Sequence, residues 1–345
     1  MKNHNTYFAA SNGYHGFRSY FDKIFSPKRL NKLYILKGGP GTGKSTLMKD
    51  IAERFTDSAI ITSIRCSSDP ASYDGVLIEN GGAAIGIVDG TSPHVVEPVY
   101  PGVVEEIINL GDGFDISGLS KKKEAVTELN ELKKQAYKNA YFALSTAGGI
   151  NEYITNVFIN NDIYKQAEGL LVELTETCPN CKETVKYSNF RRSAFCKNGY
   201  FSLGFADVKK RIISVNGDGI SEFAVMDALR KILSDSSVNM TLFSSPLQDK
   251  YIDAIETDTT VYCVTSSAEA SIRSSEIMPA TAGYISALDS YKTFLNEAKR
   301  SFAEAASYHS DLEKIYTKNM HFDMNDVKKR KIIDEIEAIL KNNHE

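Results

Sequence analysis

Leu33–Lys37 (LYILK) and the stretch that follows it, Gly38-Gly39-Pro40-Gly41-Thr42-Gly43-Lys44-Ser45-Thr46, decide how this chain is read. The apolar pentapeptide has the make-up of a short buried strand. The glycine stretch fits G-x-x-x-x-G-K-[S/T], the spacing of a phosphate-binding loop. Beyond it, Leu47, Met48, Ile51, Ala52 and Phe55 fall at helical spacing. Glycines let the backbone curl until several N–H groups point inward. The start of the helix adds the positive end of its dipole. On this reading Gly38, Gly39, Gly41, Thr42 and Gly43 form a phosphate cradle. Lys44 reaches the β- and γ-phosphates, the Ser45 hydroxyl sits on Mg2+, and Thr46 touches an inner phosphate. The pattern also describes a glycine-rich turn that binds nothing, but the flanking strand and helix favour the phosphate reading.

Working outward, Ala84–Val88 (AIGIV) is a second buried strand, and Asp89 ends it. A carboxylate there suits the water shell of a phosphate-bound Mg2+. The other reading of Asp89 is a cap on the turn Asp89-Gly90-Thr91. A third strand, Ala59–Ile64, runs into Arg65-Cys66-Ser67-Ser68-Asp69-Pro70, with Asp74 close behind. Loops at the C-terminal ends of parallel strands line the ligand crevice. Asp69 there either orients an attacking water or a substrate hydroxyl, or caps a turn. His94, in Thr91-Ser92-Pro93-His94, is either a γ-phosphate sensor and proton carrier or a structural histidine, and Glu97 is a weaker candidate.

The rest of the chain sets bounds. Its 345 residues suit about two domains. Hydrophobic residues at 42% and charged residues at 24% are ordinary globular composition and exclude a mostly disordered chain. A net charge of −4 gives no evidence for nucleic-acid binding. No apolar run of about 18 residues exists, so no membrane span is expected. The first residues lack the apolar core of a secretory signal. Five cysteines in this length are no disulfide scaffold, and a reducing cytoplasm is the simplest compartment. Cys178 and Cys181, in C-P-N-C, could supply half of a zinc site with Cys196, or be plain thiols. Arg191 and Arg192 fall in the same stretch, which reads as a solvated linker; an arginine finger is the other reading.

The chain also reads as a duplication. Ala10-Ser11-Asn12-Gly13-Tyr14 recurs as Cys196-Lys197-Asn198-Gly199-Tyr200. Ile212–Val215 resembles the first strand and leads into Asn216-Gly217-Asp218-Gly219-Ile220-Ser221-Glu222-Phe223. Gly217 and Gly219 align with Gly39 and Gly41, but Glu222 replaces Lys44 and Phe223 replaces Ser45. Phe243-Ser244-Ser245 aligns with Cys66-Ser67-Ser68, and Thr265 with Asp89. The second copy thus loses the lysine, the hydroxyl and the carboxylate together, and Glu222 would repel phosphate where Lys44 attracts it. Each half ends in a helical appendage. Lys121–Thr146 carries a stripe from Val126 to Ala143; Tyr291–Lys318 and Val327–Leu340 carry others, and Asn161-Asp162-Ile163 resembles Asn325-Asp326-Val327.

Tyr34–Lys49, Cys66–Pro70, Val88–His94 and Tyr100–Gly111 together resemble a bacterial family of tandem P-loop ATP-binding proteins of the P-loop nucleoside triphosphate hydrolase superfamily, found in spore-forming and related Gram-positive bacteria. The resemblance runs along the whole chain and is most specific over residues 6–112. It implies ATP binding and no particular reaction. Members of that family often keep a glycine–lysine loop in both halves, and this chain departs from them in the second.

The expectation is an α/β protein of two tandem pseudo-repeated P-loop domains, with mainly parallel sheets flanked by helices. Residues 1–185 carry the intact loop and 186–345 the degenerate copy, which stabilises or regulates the first. ATP and Mg2+ are the expected ligands, with hydrolysis at the first loop. The alternatives are a small-molecule kinase, and an ATP-dependent switch or assembly protein whose helices engage a protein partner or a second copy.

Overall fold

The computed structural model describes residues 4–171, 174–175, 184–205, 209–267 and 269–342. Cys178 and Cys181 lie outside them. The first sheet has six strands: β1 (His4–Phe8), β2 (Lys32–Lys37), β3 (Ile60–Arg65), β4 (Tyr73–Asn80), β5 (Ala83–Asp89) and β6 (Glu105–Asn109). Their spatial order is β1-β3-β4-β5-β2-β6. Helix α1 (Lys44–Phe55) follows β2. It buries Leu47, Met48, Ile51, Ala52 and Phe55 in the core of this sheet, as the spacing predicts.

Helices α2 (Lys123–Phe158) and α3 (Asn161–Leu171) come next, and then a second six-stranded sheet. Its strands are β7 (Val185–Tyr187), β8 (Arg211–Asn216), β9 (Met240–Ser244), β10 (Ile252–Glu256), β11 (Thr260–Val264) and β12 (Ile272–Arg273). Helix α4 (Ser221–Asp235) follows β8, and α5 (Ala282–Thr317) and α6 (Asp323–Asn342) end the chain. The spatial order β7-β9-β10-β11-β8-β12 repeats that of the first sheet strand for strand.

Both sheets are mixed: mainly parallel, as expected, with one strand reversed. One strand in each, β4 and β10, runs antiparallel to both neighbours; the other pairings are parallel. The cause in the first sheet is local. Gly81 and Gly82 have φ of 58° and 90°, and a two-residue turn with both central residues at positive φ closes a hairpin between β4 and β5.

The duplication is visible in the shared topology, with its register adjusted. The hairpins Ala10–Gly13/Gly16–Ser19 and Ser193–Cys196/Gly199–Ser202 have equal strands and turns. Gly199, at φ 82°, therefore corresponds to Gly16, at φ 93°, rather than to Gly13. Leu36 stands beside Asp89, and Val215 beside Val264. The counterpart of Asp89 is thus Val264, one residue before Thr265.

Two compact units divide the chain differently from the contiguous halves 1–185 and 186–345. One comprises Met1–Ala10, Ser19–Lys138 and Ser301–Glu345; the other comprises Ser11–Arg18 and Asn139–Arg300. The reason is where the amphipathic stripes bury. Ile332, Ile336 and Leu340 of α6 enter the core of the first sheet. Ile163, Ala167 and Leu171 of α3 enter that of the second. Spacing shows that a helix has an apolar stripe, not which sheet receives it. Helix α2 also runs past the predicted end at Thr146. Gly148 sits inside it because Tyr14 packs there: a Cβ on Gly148 would lie 2.7 Å from the Tyr14 ring. Arg191 and Arg192 are buried rather than solvated; Arg191 pairs with Asp249 at 2.8 Å and Arg192 stacks on Phe205 at 4.0 Å. Among the described residues no helix is long and apolar enough to cross a membrane.

Because α6 completes the first core, Ile336→Ala should lower the stability of the full chain by about 2–5 kcal/mol in denaturant unfolding. Val327→Ala, on the exposed side of the same helix, should change it by no more than about 0.5 kcal/mol. Equal effects would contradict the packing of α6.

Candidate functional site

Between β2 and α1 the chain makes the glycine loop. Gly41 and Gly43 have φ of 69° and 84°, the left-handed region that side chains disfavour. Gly41 also lacks room, since a Cβ there would lie 2.5 Å from Thr317 Oγ1. Lys44 folds back over the loop: its Nζ donates to the carbonyls of Gly38 and Gly39, each at 2.9 Å. Thr42 Oγ1 donates to the same Gly39 oxygen at 2.9 Å. The register of β2 on β5 brings Asp89 to the same end of the sheet, where its Oδ2 lies 3.7 Å from Lys44 Nζ. Its Oδ1 accepts from Thr91 N at 2.9 Å and Thr91 Oγ1 at 2.6 Å. Asp89 therefore caps its turn, the second of the two sequence readings, and also lies beside Lys44.

Ser45 Oγ accepts the Tyr73 N–H at 2.9 Å, which leaves its proton and a second lone pair. Ser45 and Asp89 offer hard oxygen donors of the type Mg2+ prefers. Mg2+ takes one or two protein ligands and fills its shell with water and phosphate oxygens. Among the described residues no cluster of three or more His, Cys, Asp or Glu could hold a metal.

The flank of the loop contains the remaining predicted residues. Asp69 closes the turn into β4, with Oδ1 accepting from Ala71 N at 3.3 Å. His94 is buried, stacks on Phe21 at 4.4 Å and pairs through Nε2 with Asp74 at 3.1 Å. Burial opposes charge on this imidazole. The Asp74 hydrogen bond and charge, with the field of Asp89, outweigh it and hold the group above its ordinary value. Burial, and then the Asp74 charge, push the Cys66 thiol up. Glu97 is exposed and pairs with Lys37 at 2.5 Å. Asp74 is therefore more central than its place in the sequence suggests. Its counterpart by register, Asp253, is also buried and holds Ser193 and Tyr200. An acidic residue inside a strand that otherwise reads as apolar was the available signal.

The second loop, between β8 and α4, is shorter: residues 217–220 replace 38–43. Its amides are held by the chain's own carboxyl groups. Gly219 N donates to Glu222 Oε1 and Oε2 at 3.2 and 3.0 Å. Ile220 N and Ser221 N donate to Asp218 Oδ1 at 3.0 and 2.9 Å. A Cβ on Gly217 would lie 2.1 Å from Ser274 Oγ and 2.3 Å from Ser221 Oγ, so this loop is filled. Comparison with family models, curated proteins and solved structures finds no match for this chain.

Burial, followed by the Asp218 charge, pushes the Glu222 carboxyl up to about 7 from 4.5, against the pull of the loop amides. Between those values the folded protein holds a proton that the unfolded chain releases. The stability this proton confers is complete below pH 4.5 and lost as pH rises through about 7. Over that window the wild type should lose on the order of 3 kcal/mol relative to Glu222→Gln, measured by urea unfolding at successive pH values. Parallel stability curves for the two proteins would contradict this.

Proposed function

We propose that the first unit binds Mg-ATP at the loop Gly38–Thr46 and hydrolyses it, while the second unit binds no nucleotide. The observation that carries the reading is Lys44: its ammonium lies folded over a glycine loop at a strand–helix junction, 3.7 Å from the carboxylate that ends the adjacent parallel strand. Gly38, Gly39, Gly41, Thr42, Gly43 and Thr46 would surround the phosphates with backbone donors. Lys44 would move from its carbonyl partners to the β- and γ-oxygens. Ser45 and Asp89 would hold Mg2+, which supplies positive charge against the phosphate oxygens. Phosphoryl transfer on such a loop is positioning and charge stabilisation, and the remaining task is to orient the attacking oxygen. Asp69 and the Asp74–His94 pair are the groups proposed for that task.

One observation favours a second reading, transfer to a small-molecule acceptor. The Arg65 guanidinium lies 4.5 Å over the Tyr73 ring, its buried Nε has no hydrogen bond, and the Tyr73 N–H bonds Ser45. An anionic acceptor would find a cation there.

Calorimetry and phosphorus NMR of the full chain with Mg-ATP test both readings. Wild type should bind, and Lys44→Ala should bind about tenfold more weakly or worse, because a charged donor to phosphate is removed. Free phosphate from the wild type alone supports hydrolysis. Phosphate transfer that appears only with an added acceptor, and fails in Arg65→Gln, supports the kinase. Equal affinity in wild type and Lys44→Ala would contradict the site itself.

A further inference from the structure

The first loop is held from outside by residues far away in sequence. Asn325, in the first turn of α6, donates from Nδ2 to the Thr42 carbonyl at 2.9 Å across 283 residues of chain. Thr317, at the end of α5, donates from Oγ1 to the Gly41 carbonyl at 3.5 Å. Phe322 backs Gly43, with its ring 3.6 Å from where a Cβ would stand. A peptide unit is planar and trans, so its C=O and N–H point to opposite sides. Fixing the Thr42 carbonyl toward α6 therefore turns the Gly43 N–H away from α6. Fixing the Gly41 carbonyl does the same for the Thr42 N–H. With Lys44 and Thr42 holding the carbonyls of Gly38 and Gly39, four carbonyls of the loop have donors on them.

We propose that Asn325 is a positioning residue for the first loop: by holding the Thr42 carbonyl it aims the Gly43 amide at the phosphates, and so it sets nucleotide affinity. The consequence for affinity rests on the nucleotide reading above; the effect on the loop backbone does not. Packing alone does not account for the residue. Asn325 is 7% exposed and its Oδ1 is buried with no hydrogen bond. A leucine of similar volume would fill the space without that unsatisfied acceptor. Nor is Asn325 capping its own helix, since a cap accepts a backbone N–H through its side-chain oxygen and Asn325 Oδ1 accepts none.

The test uses the full chain with Asn325→Leu and Asn325→Ala. Asn325→Asp, which keeps the shape without the donor, replaces them if neither folds. Two readouts are taken: the Gly43 amide resonance without nucleotide, and the Kd for Mg-ATP. Ile336→Ala is the control, because it loosens the same helix without touching Thr42. The Gly43 resonance should move in the Asn325 variants and the Kd should rise about tenfold, while the control stays within about twofold in Kd. A Gly43 resonance that does not move overturns the proposal. So does one that moves while the Kd stays within twofold of wild type, or a control that loses affinity equally. If the wild type binds no Mg-ATP, the functional reading fails and the affinity part of the proposal with it; the Gly43 resonance then decides whether Asn325 holds the loop.

Discussion

Where a strand hands over to a helix, the first backbone N–H groups of the helix and its approach have no partners of their own. Both units of this protein meet that constraint at the same place in the same topology, and they resolve it in opposite ways. In the second unit the chain supplies the acceptors: Glu222 reaches back to the Gly219 amide and Asp218 forward to those of Ile220 and Ser221. In the first, the residue at the head of the helix is a lysine, and its donors go to loop carbonyls. Among the described residues no carboxylate hydrogen-bonds to the loop amides there. That difference between two copies is the physical basis for proposing a nucleotide site in the first unit and none in the second.

The filled loop is more than a loss of residues. Deleting a lysine would leave amides open to water. Placing a carboxyl at the head of the helix closes the loop internally, and the hydroxyls of Tyr284 and Tyr291 complete it by bonding Asp218 and the Gly219 carbonyl. A carboxyl in that position is poorly solvated and close to a second one, which explains its raised affinity for protons. The loop of the second unit is thereby bonded within its own unit.

Much of this was legible in the sequence because it is local. The strand–loop–helix run at 33–55, the strand ending in Asp89 and the repeat of the pattern at 212–233 each lie within a short window and depend on spacing. What was not legible depends on long-range choice. The stripe Ile332, Ile336, Leu340 says that a helix is amphipathic, and only packing tells that it joins the sheet built by the first hundred residues. Asn325 stood out only as part of the triplet that matches Asn161-Asp162-Ile163, and its bond to Thr42 has no signature in either segment. The reversal of β4 did have a signal, the Gly81-Gly82 turn, whose two positive φ values make the hairpin. The one-residue shift from Thr265 to Val264 came from aligning by similarity where the register of β8 on β11 decides.

The central claim, one open loop and one closed by its own carboxyls, is tested most directly by counting nucleotides. Native mass spectrometry of the full chain with Mg2+ and a non-hydrolysable ATP analogue should show a single nucleotide per chain, with that species depleted in Lys44→Ala at matched concentration and unchanged in Glu222→Gln. Two nucleotides on the wild-type chain, or one equally abundant without the Lys44 ammonium, would contradict it.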